Sequence, residues 1–347
     1  MILESNHTKV AITEIRNKHF KGKDPQLVEK ILKALTLLEL LVQEKVDFTF
    51  KGGTCLLLLL PTPKRFSIDL DLIIAKKDDL IQALENICKN NPIFTRLVED
   101  KRVETKIPKA HYKVYYKTSL SGKEDYVLVD LIEDANPYPL IQDSEIRPTY
   151  FQTSGPYLKV KTPTINCILG DKMTAFAPRT TGIKLGVEKE MEIAKQLFDV
   201  ASLFDHATDF SEVKKSFMII AEKEIKYREL NINHEDVLHD AFETAKIIAL
   251  QGAVKNDIYK ELQVGIRNLN GYIFENFGPV QVHICAAKSA YLTRLIHTEA
   301  SKIIPFKGED LRKIEITNTG YNKLNKVKKT SPEAFYYWKA ATDLVKA

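Results

Sequence analysis

The sequence predicts an α+β first half followed by a helical second half. Three observations carry this: short strand-like runs between helical segments up to residue 161, a hairpin signal around Gly122, and helical periodicity from Thr164 onward. The absence of a regular β-α-β alternation argues for a mixed sheet with antiparallel pairs.

In chain order, Leu27, Val28, Ile31, Leu32, Leu35, Leu38, Leu41 and Val42 recur at helical spacing, which predicts a helix over Pro25–Glu44. Asp47–Phe50 reads as a strand broken by Gly52-Gly53, and Thr54 as the N-cap of a buried helix carrying Leu56–Leu60. A second strand is expected over Phe66–Ile74 and a helix from about Asp78. Strands follow at Arg102–Ile107, His111–Thr118 and Tyr126–Ile132, the last two joined through Ser121-Gly122-Lys123-Glu124, with another at Tyr157–Lys161. Helices are expected at Thr164–Ala177, Glu188–Phe204, Ser211–Arg228, His234–Leu250, Asp257–Phe274 and Val280–His297. The domain boundary is placed near residue 160, giving units 1–160 and 161–347.

With 44% apolar and 28% charged residues, the chain has the balance of a globular protein. Its densest apolar run, Leu56–Leu60, stops at Pro61, far short of a membrane span. No basic-then-apolar leader opens the sequence, and Cys55, Cys88, Cys167 and Cys285 sit at no metal or redox spacing. A cytoplasmic, reducing location is the expectation, with no membrane partner. The net charge of +5 permits a polyanionic partner without demanding one.

The chemistry concentrates in Lys51-Gly52-Gly53-Thr54 and Asp69-Leu70-Asp71. Glycines after a strand let a phosphate approach the backbone, and the following helix start turns free N–H groups toward it. Residues two apart on a strand share a face, so Asp69 and Asp71 are expected at one site with Leu70 in the core. Paired carboxylates repel unless a cation lies between them, and magnesium is the natural candidate. Asp130, in the apolar run Tyr126–Ile132, is costly there unless it has a role, and completes a candidate two-metal set. Arg65 is a candidate phosphate ligand and Ser67 a brace for the loop.

Gly-Gly-Thr followed by Arg65-x-Ser67-x-Asp69-x-Asp71 resembles the DNA-polymerase-β-like nucleotidyltransferases. More narrowly it is similar to the AbiEii/AbiGii toxin family, which includes the mycobacterial MenT-type toxins. Gly170-Asp171-Lys172-Met-Thr-Ala175 matches that family's Asp-Lys-x-x-Ala helix, whose lysine is expected to contact nucleotide phosphates. Lys195-Gln196-Leu-Phe-Asp199 resembles its Arg-Asp-x-x-Asp motif, with Lys195 in place of arginine and Gln196 in place of the first aspartate. The similarity spans roughly residues 30–205.

The resemblance implies a magnesium-dependent transferase. Asp69, Asp71 and Asp130 would hold metal, and Lys51, Gly52, Gly53, Thr54, Arg65, Ser67 and Lys172 would bind a nucleoside triphosphate. Asp199, with Asp69, Asp71, Asp130 and Lys172, would belong to the catalytic set. The implied acceptor is RNA, notably the tRNA 3′ end and not DNA, with a cognate antitoxin as partner. A small-molecule or protein acceptor, or a non-catalytic RNA- or protein-binding module, are the alternatives. Near the C-terminus, Lys323, Lys326, Lys328 and Lys329 beside Tyr321 and Phe335–Trp338 suit single-stranded RNA. The preferred reading there is a solvated lysine run followed by an amphipathic core helix.

Overall fold

The computed structural model describes residues 1–102, 107–251, 257–298 and 302–344. The chain divides into two compact units, one of residues 1–136, 140–164 and 271–274, the other of residues 137–139, 165–270 and 275–347.

The first unit is built on a mixed sheet. In chain order its elements are α1 (Lys9–His19), α2 (Pro25–Gln43), β1 (Phe48–Lys51), α3 (Gly52–Leu59), β2 (Leu70–Ile74), α4 (Lys77–Asn90), β3 (Phe94–Glu99), β4 (Lys109–Lys117), β5 (Glu124–Glu133), β6 (Ile141–Glu145) and β7 (Lys159–Pro163). The strand order is β3-β4-β5-β2-β1-β7-β6. β1 runs antiparallel to β2, and β2 parallel to β5. In β5 Val127, Val129 and Leu131 are buried while Leu128, Asp130 and Ile132 take the other face.

Helix α2 starts where Asp24 accepts from the Gln26 N–H at 2.9 Å and Pro25 occupies the first turn. It is buried almost all round, including Glu29, Lys33 and Glu39. Each charged group has a partner: Glu29 accepts from Ser119 N at 2.6 Å, Glu39 from Ile2 N at 2.9 Å, and Lys33 donates to His7 Nδ1 at 3.0 Å.

Several expected elements are corrected. Strand β2 begins at Leu70, so Phe66–Asp69 precedes the ladder and Asp69 is not a strand residue. Helix α3 begins at Gly52, which puts Thr54 inside it instead of at its cap. Strands β3 and β6 went unanticipated because both are sheet edges: of β3 only Phe94 is buried, and of β6 only Ser144. The expected strand Arg102–Ile107 falls largely outside the described residues.

The second unit is helical: α5 (Ile165–Ala175), α6 (Glu190–Phe204), α7 (Phe210–Tyr227), α8 (His234–Ala249), α9 (Asp257–Leu269), α10 (Pro279–His297), a 3-10 segment (Asn322–Lys329) and α11 (Pro332–Asp343). Helix α9 stops at Leu269, short of the expected Phe274. Asn270-Gly271 breaks it, and residues 271–274 join the first unit, where Phe66 N donates to Tyr272 O at 2.7 Å and Phe274 N to Lys64 O at 3.0 Å. Phe335, Tyr337 and Trp338 are buried in the second unit's core, so the aromatic run is not a stacking surface. Among the described residues no helix is long and apolar enough to cross a membrane.

Candidate active site

The first unit gathers its polar residues in one line across the sheet. Lys51 on β1 lies opposite Asp71 on β2, Asp71 opposite Asp130 on β5, and Asp130 opposite His111 on β4. Directly opposed residues share a face, and neighbouring strands are about 4.8 Å apart, so four side chains form one row. Leu70, Leu72, Val129 and Leu131, at alternating positions, fill the core on the opposite face.

The Lys51-Gly52-Gly53 turn opens directly beside this row. Gly52 has φ +75°, and a Cβ there would lie 1.9 Å from Asp71 Oδ2, so the Asp71 carboxylate fills the space a side chain would take. A Cβ on Gly53 would meet Arg65 Nη2 at 2.5 Å and Ser67 Oγ at 2.8 Å. The N-cap residue, Lys51, gives the helix start no side-chain hydrogen bond, and the first-turn N–H groups of α3 are suited to an anion. Arg65, 6% exposed, is anchored through Nη1 to the Phe66 carbonyl at 2.9 Å.

Thr54 ties the loop to the helix. Its buried hydroxyl donates to the Asp69 carbonyl at 2.5 Å and lies 2.9 Å from Ser67 Oγ. The same hydroxyl is the donor toward Ser67 Oγ, so its one hydrogen is shared between the two acceptors. Thr54 and Ser67 therefore set where Asp69 stands.

Asp130 is oriented by His111, whose Nδ1 lies 2.6 Å from Oδ1, with Arg102 Nη2 at 3.9 Å from the same oxygen. Its carboxylate is 30% exposed, and both of these partners reach Oδ1. The row thus offers hard oxygen donors on adjacent strands, a donor set that suits magnesium. Among the described residues no three His, Cys, Asp or Glu side chains already converge as a closed metal cage. Asp69 precedes the ladder, and its backbone is set by Thr54 and not by strand pairing.

Lys172 and Asp199 belong to the second unit and not to this row. Lys172 Nζ lies 3.0 Å from Asp199 Oδ2 and donates to Gln196 Oε1 at 3.0 Å, all three residues being buried. Gln196 thus accepts from the lysine at the position where the family motif has aspartate. Lys195 pairs instead with Glu192 at 2.7 Å. Gly170 admits helix α7, for a Cβ there would meet Val213 O at 2.6 Å.

The family described as nucleotidyl transferase AbiEii toxin, type IV toxin–antitoxin system, matches residues 36–263. The chain belongs to the AbiEii family. That membership makes it a nucleotidyltransferase toxin of a type IV toxin–antitoxin system, and implies a nucleotide substrate and an antitoxin partner. The fold agrees with that of MenT4, a nucleotidyltransferase toxin of Mycobacterium tuberculosis, at TM-score 0.57 and 13% identity over 94% of this chain and 98% of that one. JHP933 from Helicobacter pylori is also similar, at TM-score 0.48 and 17% identity over 78% of this chain and 92% of that one. No curated protein matches the chain.

Two residues of the candidate site escaped the sequence reading, His111 and Arg102. The signal for His111 was present. Stepping six residues back from Lys117 and six on from Glu124 across the Gly122 turn lands on His111 and Asp130. Arg102 has no comparable signal.

Proposed function

We propose that this AbiEii protein transfers a nucleoside monophosphate from a nucleoside triphosphate to an RNA hydroxyl, at the 3′ end of tRNA. The observation that carries the reading is the cross-strand row Lys51–Asp71–Asp130–His111 beside a glycine-opened helix start.

Backbone N–H groups at Gly53 and Thr54 hold the triphosphate, with Lys51 and Arg65 supplying positive charge. Asp69, Asp71 and Asp130 are the residues that would hold magnesium. When bound, the metal neutralises charge on the triphosphate and lowers the acceptor hydroxyl's pKa. Asp130 takes the proton as the acceptor oxygen bonds to the α-phosphorus and pyrophosphate leaves. His111 holds the Asp130 carboxylate so that its second oxygen faces the reaction. For Lys172 the proposal is a phosphate contact, supported by the family resemblance, with Asp199 and Gln196 fixing the ammonium.

The test incubates purified protein with bulk tRNA, magnesium and each α-labelled nucleoside triphosphate in turn, beside Asp69→Ala/Asp71→Ala. Label on tRNA that vanishes in the variant is expected. Label on a small molecule or a protein in place of tRNA overturns the acceptor, and no label on any acceptor overturns catalysis.

A further inference from the structure

The 3-10 segment Asn322–Lys329 runs for eight residues, longer than this geometry usually persists. Three residues per turn stack every third side chain into one file. One file, Leu324 and Val327, is buried. A second fastens the preceding loop: Asn325 bonds the Ile316 carbonyl and N–H, both at 2.9 Å, and Lys328 donates to the Ile314 carbonyl at 2.6 Å.

The third file is Lys323, Lys326 and Lys329. All three are exposed, and none has an ion pair with the described residues. At a rise of roughly 2 Å per residue these cations recur about every 6 Å in a straight line. An α-helix would fan the same residues apart by about 60° at each step. The unusual winding is therefore what aligns the charge.

Beside the file opens a cavity of about 560 Å³ whose walls include Leu250, Pro279, Val280 and Val327, with Lys323 and Lys326 also lining it. Its polar groups are specific. Gln251 Nε2 lies 2.7 Å from His283 Nε2, and His283 is 8% exposed. An amide N–H only donates, so His283 Nε2 accepts and the ring proton sits on Nδ1. Burial lowers the pKa of His283, which keeps the ring neutral. The Gln251 carbonyl and the His283 Nδ1–H are then an acceptor and a donor with no partner among the described residues.

An apolar slot offering one donor and one acceptor matches the edge of a flat heterocycle, and evenly spaced cations beside it match a phosphate backbone. A duplex keeps its bases stacked and has no use for the slot, whereas a single strand can turn one base into it. An acidic protein surface would use the lysines but leave the slot empty. We infer that Lys323, Lys326 and Lys329, with the cavity between Leu250, Val280 and Val327, bind single-stranded RNA, one base in the slot and successive phosphates on the lysines. The inference rests on the proposed RNA acceptor, but binding needs no transfer, so the two fail separately.

The test is fluorescence anisotropy of the full chain with a short labelled single-stranded RNA and with its duplex, without nucleoside triphosphate. Lys323→Glu/Lys326→Glu/Lys329→Glu is expected to weaken single-strand binding at least tenfold at about 0.1 M salt, and to flatten the salt dependence by about two log units per log unit of salt. Lys9→Glu/Lys21→Glu/Lys117→Glu, with the same charge change on the first unit, is expected to stay within about twofold. Val280→Trp, which adds a bulky ring at the wall of the cavity, should weaken the single strand several-fold and leave the duplex unchanged. Equal loss in both lysine variants reduces the effect to net charge and overturns the site. So does unaltered RNA binding in the file variant. Labelled tRNA with indifferent binding variants removes this site and leaves the transfer reading; RNA bound here but never labelled does the reverse.

Discussion

The Asp71 carboxylate occupies the space that a side chain on Gly52 would fill, its Oδ2 lying 1.9 Å from where a Cβ would stand. Gly52 also has φ +75°, where a Cβ is strained in any case. Gly52→Ala is therefore expected to cost about 1–3 kcal/mol of stability and to reduce nucleotidyl transfer at least a hundredfold by displacing Asp71. Gly53→Ala meets only the tips of Arg65 and Ser67, which can give way, so it should be milder in both measures. Chemical denaturation beside the tRNA labelling assay separates the two. Wild-type activity in Gly52→Ala would contradict the placement of Asp71.

His111 acts on Asp130 through one short contact at 2.6 Å. His111→Ala should lower the transfer rate about 10–100-fold, the range for lost partners of metal-ligating groups, with KM for nucleotide little changed. Steady-state kinetics with varied nucleotide measures this. A variant whose loss lies wholly in KM would assign His111 to binding.

Lys172 and Asp199 form a buried pair, 7% and 1% exposed. Lys172→Met deprives the Asp199 carboxylate of that ammonium inside the helical unit, and a loss of about 3–5 kcal/mol is expected. Lys172→Met/Asp199→Leu should recover more than half of it, because no buried charge then remains at either position. Denaturant midpoints of the single and double variants decide this, and loss of activity in the double variant with stability restored would isolate a role in transfer.

Acid stability carries a signature from His7. Burial, then the nearby Lys33 charge, lowers its pKa from 6.5 to about 4. The unfolded chain takes the proton near pH 6.5 and the folded chain only near 4, so stability is complete above 6.5 and declines as pH falls toward 4. Lys33, pushed by burial down to about 8, adds stability as pH rises from there toward 10.5. His7→Gln should flatten the acid limb by on the order of 1 kcal/mol, read as the difference in unfolding free energy between pH 7 and pH 5.

Much of the site was legible because its signals are local. Gly52-Gly53 marks a turn, Asp130 stands out as an acid in an apolar strand, and the Gly122 hairpin carries its own register. Edge strands β3 and β6 were not legible, since neither buries a full face and so neither alternates. Thr54 was misread for a different reason. A threonine after two glycines looks like a cap, and only the returning loop turns its hydroxyl to the Asp69 carbonyl.

The sequence by itself determined the helix periods, the alternation of β5, the glycine turn and the order of its acidic and basic residues, because each depends on near neighbours in the chain. Only the tertiary structure decided that Lys51, Asp71, Asp130 and His111 stand in one row. That row depends on three strand registers, two of them joining segments far apart in sequence, and a slip of one residue in any would turn its side chain to the opposite face. The same holds for the lysine file, where three-per-turn winding is imposed by Leu324 and Val327 packing inward while Asn325 and Lys328 grip the preceding loop.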